Sequence, residues 1–373
     1  MRSVLYRLVA TALLVACAWV MLHADDPPAL PRDKEIEALI QQLGSDEFAA
    51  REAAVKALDR LGERPLPYLR HAASKNSDPE IRWRAEHLLS RPDRESETTG
   101  LKLVFIQRGE AWLGSPNAEA GRRDDELTHL ARLTQAFYLG KYEVTQSEYR
   151  RVMKQEPSWF SRTGGGREKV FIVGTDLYPV ERVTWFDAIA FCNELSKLDH
   201  FQPYYELTEI KRENDSIVAA RVKIVGGHGY RLPTEAEWEH ACRAGTTTPY
   251  HYGAERNGHA SNVAGATFSG GYGGEVRGPN LKCTCSRGGY EANAWGLHDM
   301  HGNVGEWCWD VSDRNYYRTS PRNDPSGPDD GPHRTWRGGN WLLNEAGSRS
   351  AARNFAAPSE RKEYLGFRVA RNP

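Results

Sequence analysis

Fifteen consecutive residues, Asn293-Ala-Trp-Gly-Leu-His-Asp-Met-His-Gly-Asn-Val-Gly-Glu-Trp307, constrain the fold of this chain more than any other stretch. They hold two tryptophans, two carboxylates, two asparagines and three glycines. Neither the period of an amphipathic helix nor the alternation of a strand fits that order. The run reads as a compact loop in which glycine serves the tight points. Acids held in such a loop suggest a hard-cation site, because calcium gathers several oxygens from carboxylates, carbonyls and amides. The alternative is that Asp299 and Glu306 cap turns or pair with arginines.

Composition narrows the classes. The 373 residues suffice for two or three domains, and 39% hydrophobic with 27% charged residues is the balance of a globular protein. A net charge of −1 argues against nucleic acid as a partner, since such binders depend on phosphate attraction. The N-terminus has the order of a secretory signal over residues 1–24: Arg2 and Arg7, an apolar run from Leu8 to Leu22, then Ala24 before Asp25 and Asp26. Export to the periplasm or the extracellular space is therefore expected. Leu14-Val-Ala-Cys17 resembles a lipoprotein box, which would anchor the chain through Cys17, but the residues after Cys17 stay apolar. Without the signal, Cys192, Cys242, Cys283, Cys285 and Cys308 remain, an odd set whose pairing the sequence leaves open.

Residues 32–92 carry apolar side chains at helical spacing, among them Ile36, Leu39, Ile40, Leu43, Val55 and Leu58. Ser45-Asp46 and Ser77-Asp78-Pro79 each open a helix, with Asp78 as cap and Pro79 in the first turn. The recurrence resembles HEAT-type repeats, which would make the segment a docking module or a helical spacer. Residues 93–100 are polar and read as a linker. From residue 101 to 373 a second domain is expected. It should open with a strand over 102–107 and a turn at Gly109. Capping boxes at Thr145/Glu148, Thr184/Asp187 and Thr234/Glu237 should start helices reaching Met153, Leu198 and Arg243. Tyr204–Thr208 and Ile217–Val225 read as a hairpin, and residues 245–293 as mostly loop. Glu235, Glu237 and Glu239 do not converge on one helix face, so capping and salt bridging account for them better than catalysis.

Several motifs occur in order: Leu103–Ser115, Phe137–Thr145, Tyr178–Trp185, Tyr230–Glu239, Asn293–Trp307, Trp336–Gly339 and Leu365–Ala370. Together they resemble the formylglycine-generating enzymes, or sulfatase-modifying factors. The resemblance implies an α+β fold of the irregular C-type-lectin-like kind, preceded here by the small α-helical repeat region. It implies one calcium site on the Asp299 and Glu306 side chains with the Gly302 and Val304 carbonyls. A second would use Asn262 and the Val263 carbonyl, with Asn280 where an acid is usual. His298 and Gly305 depart from the usual Tyr and Trp of the motif.

The oxidase chemistry of that family needs two cysteines after the Gly-Gly motif, whose thiolates hold Cu(I). Residues 337–353 contain none, and no cysteine follows Cys308. Asn340 stands where these oxidases usually carry serine. Asn340 and Trp341 would line the former active-site region; Arg349, Arg353 and Arg368 read as buried partners for acids near the core, with Arg353 as a further candidate for the cleft. Family members often hold disulfide partners at the places of Cys192 and Cys242, but the matching positions fall near Ser350 and Val369. The expected function is an exported, calcium-stabilised module that binds a peptide, a protein or a glycan, with copper unlikely on this donor set. The alternatives are an oxidase with displaced thiols, another enzyme in the same cleft, or a scaffold acting through the helical repeats.

Overall fold

The computed structural model describes residues 33–61, 65–89, 93–170, 174–254, 260–264 and 281–373. The expected signal segment with Cys17, the glycine run 269–274 and Asn280 lie outside the described residues. The chain divides into two compact units, Met1–Arg91 and Pro92–Pro373. Among the described residues no helix is long and apolar enough to cross a membrane.

The first unit is two helical hairpins: α1 (Asp33–Gln42) with α2 (Phe48–Arg60), and α3 (Leu66–Lys75) with α4 (Pro79–Leu89). Their apolar stripes merge into one core that includes Ile36, Leu43, Leu58, Leu69, Ile81 and Leu88. One local device is used twice. The Arg51 guanidinium donates to the Ser45 and Asp46 carbonyls at 2.6 and 3.0 Å. The Arg82 guanidinium donates to the Asn76 and Ser77 carbonyls at 2.7 and 2.9 Å. Asp78 caps α4 as expected, its Oδ1 accepting from the Glu80 N–H at 2.8 Å. Glycine is required at position 44, where a Cβ would lie 2.5 Å from the Asp78 carboxylate and 2.7 Å from Ile81.

The second unit is built on two sheets. In the first, β1 (Asp93–Glu95), β2 (Lys102–Ile106), β5 (Phe137–Gly140), β13 (Ala370–Arg371) and β8 (Tyr230–Arg231) lie side by side in that order. Residues 93–100 are therefore not a linker. Asp93, Arg94 and Glu95 pair with Val104, Leu103 and Lys102, and the Thr98 N–H donates to Asp199 at 3.0 Å. Polar side chains hid this strand because an edge strand needs only its backbone to pair. The second sheet orders β11 (Asn354–Ala356), β10 (Arg334–Arg337), β9 (Gly305–Val311) and β12 (Leu365–Gly366). Two hairpins stand apart, β3 (Gly109–Leu113) with β4 (His129–Leu133) and β6 (Tyr205–Glu213) with β7 (Ser216–Ile224). Gly109 thus opens a strand instead of making the expected turn.

All three capping boxes form, starting α5 (Gln146–Met153), α6 (Trp185–Leu198) and α7 (Glu235–Arg243). Helix α6 is central to the larger core, where Trp185, Phe191 and Leu195 meet Trp307, Leu365 and Phe367. Facing strands bring Trp336 opposite Trp307 and Arg337 opposite Glu306. Gly305 leaves room for the Trp336 ring, since a Cβ there would sit 2.5 Å from the indole. The described residues between 245 and 293 form no regular element.

Candidate functional site

The loop 293–307 is held from both ends. The Asn293 Oδ1 accepts from the Trp295 and Leu297 N–H groups, while its amide donates to the Ala241 and Cys242 carbonyls at the end of α7. Asp299 and Asn303 take left-handed backbone at φ 59°, and Gly302 lies at φ 103°. The Gly302 N–H donates to the Gly338 carbonyl at 2.7 Å, which ties this loop to the Gly-Gly turn after β10.

The two acids of the loop have different fates. Both oxygens of Glu306 accept from the Arg368 guanidinium at 2.5 Å, and Oε2 also accepts from the Trp238 indole at 2.7 Å. This is the arginine-pairing alternative. Asp299 accepts from the Gly288 N–H through Oδ2 at 2.6 Å, but its buried Oδ1 has no partner. Burial first, and the nearby Glu306 charge next among the raising causes, push the Asp299 carboxyl up to about 6. Asn262 likewise keeps a buried Oδ1 without a partner, while its amide donates to the Cys283 carbonyl and to Asn303. Val263 is buried beside it.

Tested as a calcium site, this donor set divides. Asp299 and Asn262 fit, each presenting an oxygen that nothing else satisfies. Glu306 fits a guanidinium better, because a cation placed against it would face the Arg368 charge. Among the described residues no group of three or more His, Cys, Asp or Glu side chains converges on one point. Glu143, from the motif after β5, is a third carboxylate here that sequence reasoning did not single out. It accepts from Asn303 Nδ2 at 2.7 Å and from the Val304 N–H at 3.0 Å. Burial, then Asp299 and Glu306, hold its carboxyl well above the usual range.

The region after the Gly-Gly turn is closed by its own polar groups. Asn340 is buried, and its Oδ1 accepts from the Leu342 and Leu343 N–H groups at 3.0 Å. It shapes a turn instead of facing a ligand. The Trp341 indole donates to the Glu363 carbonyl at 3.1 Å and packs edge-on against Phe160. Arg353 does not line this region. Its guanidinium grips both oxygens of Glu235 at 2.8 and 2.9 Å, because a carboxylate buried that deeply requires a partner. His301 is structural: the His251 N–H donates to its Nε2 at 3.1 Å, so Nδ1 carries the proton toward the Ser348 carbonyl.

All five cysteines of the second unit are free thiols. Cys242 lies 3.6 Å from the Ser350 hydroxyl, and burial pushes its thiol up to about 12. Cys192 is in the core that contains Val369, and Cys308 is buried in a separate core with Cys242. Cys283 lies in a small cluster with Trp341, Phe160 and Val170 against which Tyr178 and Tyr364 pack, and Cys285 Sγ lies 3.5 Å from Asn262 Nδ2 and from Asn303 Oδ1. Over that cluster lies Lys169, whose ammonium is 5.7 Å from the ring centroids of both Phe160 and Trp341. Under it lies Glu181, which accepts from the Phe160 N–H at 2.8 Å and leaves Oε2 without a partner. Burial pushes Glu181 up to about 8. Neither Lys169 nor Glu181 had a spacing signal, although Glu181 sits inside the Tyr178–Trp185 motif.

Residues 90–373 match the sulfatase-modifying factor enzyme 1-like domain. The chaperone protein LppX of Paenibacillus barcinonensis is 35% identical over 221 residues, covering 55% of this chain and 69% of that protein. The formylglycine-generating enzyme of Thermomonospora curvata is 37% identical over 155 residues, covering 39% of this chain and 50% of the enzyme. Among solved structures, Treponema denticola variable protein 1 aligns with a TM-score of 0.57 and 26% identity, over 75% of this chain and 98% of that one. PvdO from Pseudomonas aeruginosa gives the same TM-score of 0.57 at 24% identity, covering 75% and 98% of the two chains, a likeness of fold.

Proposed function

The chain belongs to the sulfatase-modifying factor enzyme 1-like family, and on that premise we propose that it is an exported, calcium-stabilised binding module without copper oxidase activity. The observation that carries the reading is the segment 337–353. It lacks cysteine; Cys242 lies beside Ser350, while Cys283 and Cys285 lie on a separate loop, the first in a cluster with Trp341 and the second against Asn262 and Asn303. A soft monovalent ion needs sulfur ligands, and oxygen or amide groups do not replace them. A relative that bears the name of a chaperone supports a role in binding. The two sheets and long loops support the C-type-lectin-like assignment for residues 101–373. In this reading the guest is an extended peptide, a protein or a glycan held by loops on a rigid scaffold.

Calcium would be held from Asp299 and Asn262, with the Gly302 and Val304 carbonyls and Val263 as neighbouring donors. Bound there it would neutralise acids that burial leaves exposed to one another. A cation bound only by the native state stabilises by about 2.7 kcal/mol at a hundredfold excess over its Kd. Chelation should therefore lower the melting temperature, and Asp299→Ala should remove that response. An Asp299→Ala protein that still responds to chelator refutes the site. Loaded with copper and offered a Cys-x-Pro-x-Arg peptide, the wild-type protein should return the peptide unoxidised. An aldehyde product detected by mass would overturn the reading in favour of an oxidase with displaced thiols.

A second reading concerns the helical unit. A groove of about 830 Å³ lies between α1 and α3, lined by Glu37, Ile40, Gln41, Tyr68 and His71 among others. It supports a HEAT-type docking role for residues 32–92. Deletion of that segment should then abolish a partner interaction that the second unit alone does not make.

A further inference from the structure

We propose that the surface around Trp341 selects an extended acidic peptide. The inference rests on the binding-module reading above and adds the charge of the guest. Residues 158–170 and 281–287, together with Arg182, carry six arginines and lysines and the carboxylate of Glu168; the adjoining segment 360–363, whose Glu363 carbonyl takes the Trp341 indole, adds two cations and two acids, and Arg162 shares a pocket with Glu156 and Asp176. Of the six, Arg287 has a carboxylate partner, Glu148, at 2.5 Å. Among the described residues, Arg162, Arg167, Lys169, Arg182 and Lys282 make no ion pair.

These cations are placed by contacts. The Lys169 ammonium donates to the Lys282 carbonyl at 2.8 Å, so the two loops meet, and it hangs over the Phe160 and Trp341 rings. The Arg182 guanidinium lies 5.4 Å from the Trp159 ring centroid. The other side of Trp159 is packed by Gly165, where a Cβ would stand 2.2 Å from the indole. Loop 158–170 is thus wedged in one conformation with its charges displayed. Between them Phe160, Val170, Cys283 and Trp341 form a buried apolar floor, and the apolar surface left open is that of Trp159, Leu281 and Leu342.

Apolar ground bordered by bare cations fits a chain that alternates apolar and acidic side chains. A glycan fits less well. Sugars dock on open aromatic faces, and here Gly165 and Arg182 flank Trp159 while Lys169 covers Trp341. The same charges disfavour a guest that carries arginine, since a like-charge encounter slows association and weakens the complex.

The test is fluorescence anisotropy of the mature full-length protein with labelled dodecapeptides of Gly-Leu-Glu, Gly-Leu-Gln or Gly-Leu-Lys repeats. The Glu peptide should bind about tenfold tighter than the Gln peptide, and the Lys peptide should not bind. The preference should shrink as salt rises. Lys169→Glu with Lys282→Glu should reverse the order of the Glu and Lys peptides, whereas Arg212→Glu on the β6–β7 hairpin should leave it unchanged. Equal binding of the Glu and Gln peptides overturns the charge selection and leaves the binding module standing. Binding of none of the three overturns the acidic-peptide guest and leaves the module with a protein or a glycan. Heparin that displaces the Glu peptide at matched charge, from wild type and double variant alike, also overturns it, because the surface then reads charge without shape.

Discussion

Two populations of cations share the second unit, and they do different work. In the interior, Arg337, Arg349, Arg353 and Arg368 are almost fully buried, and each meets at least one carboxylate: Glu239, Glu126, Glu235 and Glu306 respectively. On the surface that includes Trp341, Arg167, Lys169 and Lys282 are exposed and, among the described residues, make no ion pair. A buried guanidinium must be paired, because the desolvation of a lone charge is not recovered. An exposed one is satisfied by water and costs little either way. The first set therefore holds the architecture, and the second is free to address something outside the molecule.

The largest test of that contrast is Arg337→Met. Arg337 joins Glu239 and donates to the carbonyls of Ser350, Ala351 and Ala352. Its removal takes one of two cations from the buried Glu239, which keeps Arg243 at 2.8 Å, and leaves three carbonyls short of a donor, which together should cost about 3–5 kcal/mol in denaturant unfolding. A loss below about 1 kcal/mol would show that the interior pairs are as dispensable as surface ones.

Glu181 sharpens the comparison because it is a buried acid with no ion pair among the described residues, the Arg182 charge offsetting its burial only in part. Its carboxyl is raised to about 8 by burial, so the native state prefers the proton. The cost of this group is absent below its ordinary value near 4.5, grows as pH rises, and is complete above about 8. Glu181→Gln carries no such cost. It should gain about 1–3 kcal/mol at pH 8 and nothing at pH 4, measured by urea unfolding across that range. An equal effect at both values would mean that the amide acts through packing and not through charge.

The smallest expected change is in the stability of the double variant Lys169→Glu, Lys282→Glu. Its melting temperature should move by no more than about 2 °C, because exposed substitutions seldom exceed a few tenths of a kcal/mol. A drop as large as that of Arg337→Met would place these lysines with the architectural set.

Much of the scaffold could be read from local chemistry. Thr145 with Glu148, Thr184 with Asp187 and Thr234 with Glu237 announce helices because both halves of a capping box lie within one turn. The β6–β7 hairpin followed from alternation, although its strands run further toward the tip than expected. What could not be read depends on distant partners. Glu306 meets Arg368 and Trp238 across the fold, and no spacing rule links them. Arg353 could be expected to be buried against an acid, but which acid could not be read, because Glu235 is likewise remote in sequence. The strand at 93–95 was hidden because its side chains say nothing about its backbone pairing. Asn340 was placed in the cleft by resemblance, whereas its amide oxygen turns inward to hold two N–H groups.

The indole of Trp336 lying over Gly305 has a consequence for descent. A larger side chain at 305 has no room while the indole is present, and loss of the indole alone leaves a cavity in the interior. Neither position can change first without passing through a poorly folded ancestor. The two sites are bound by epistasis, and related sequences that carry bulk at one should carry a small residue at the other.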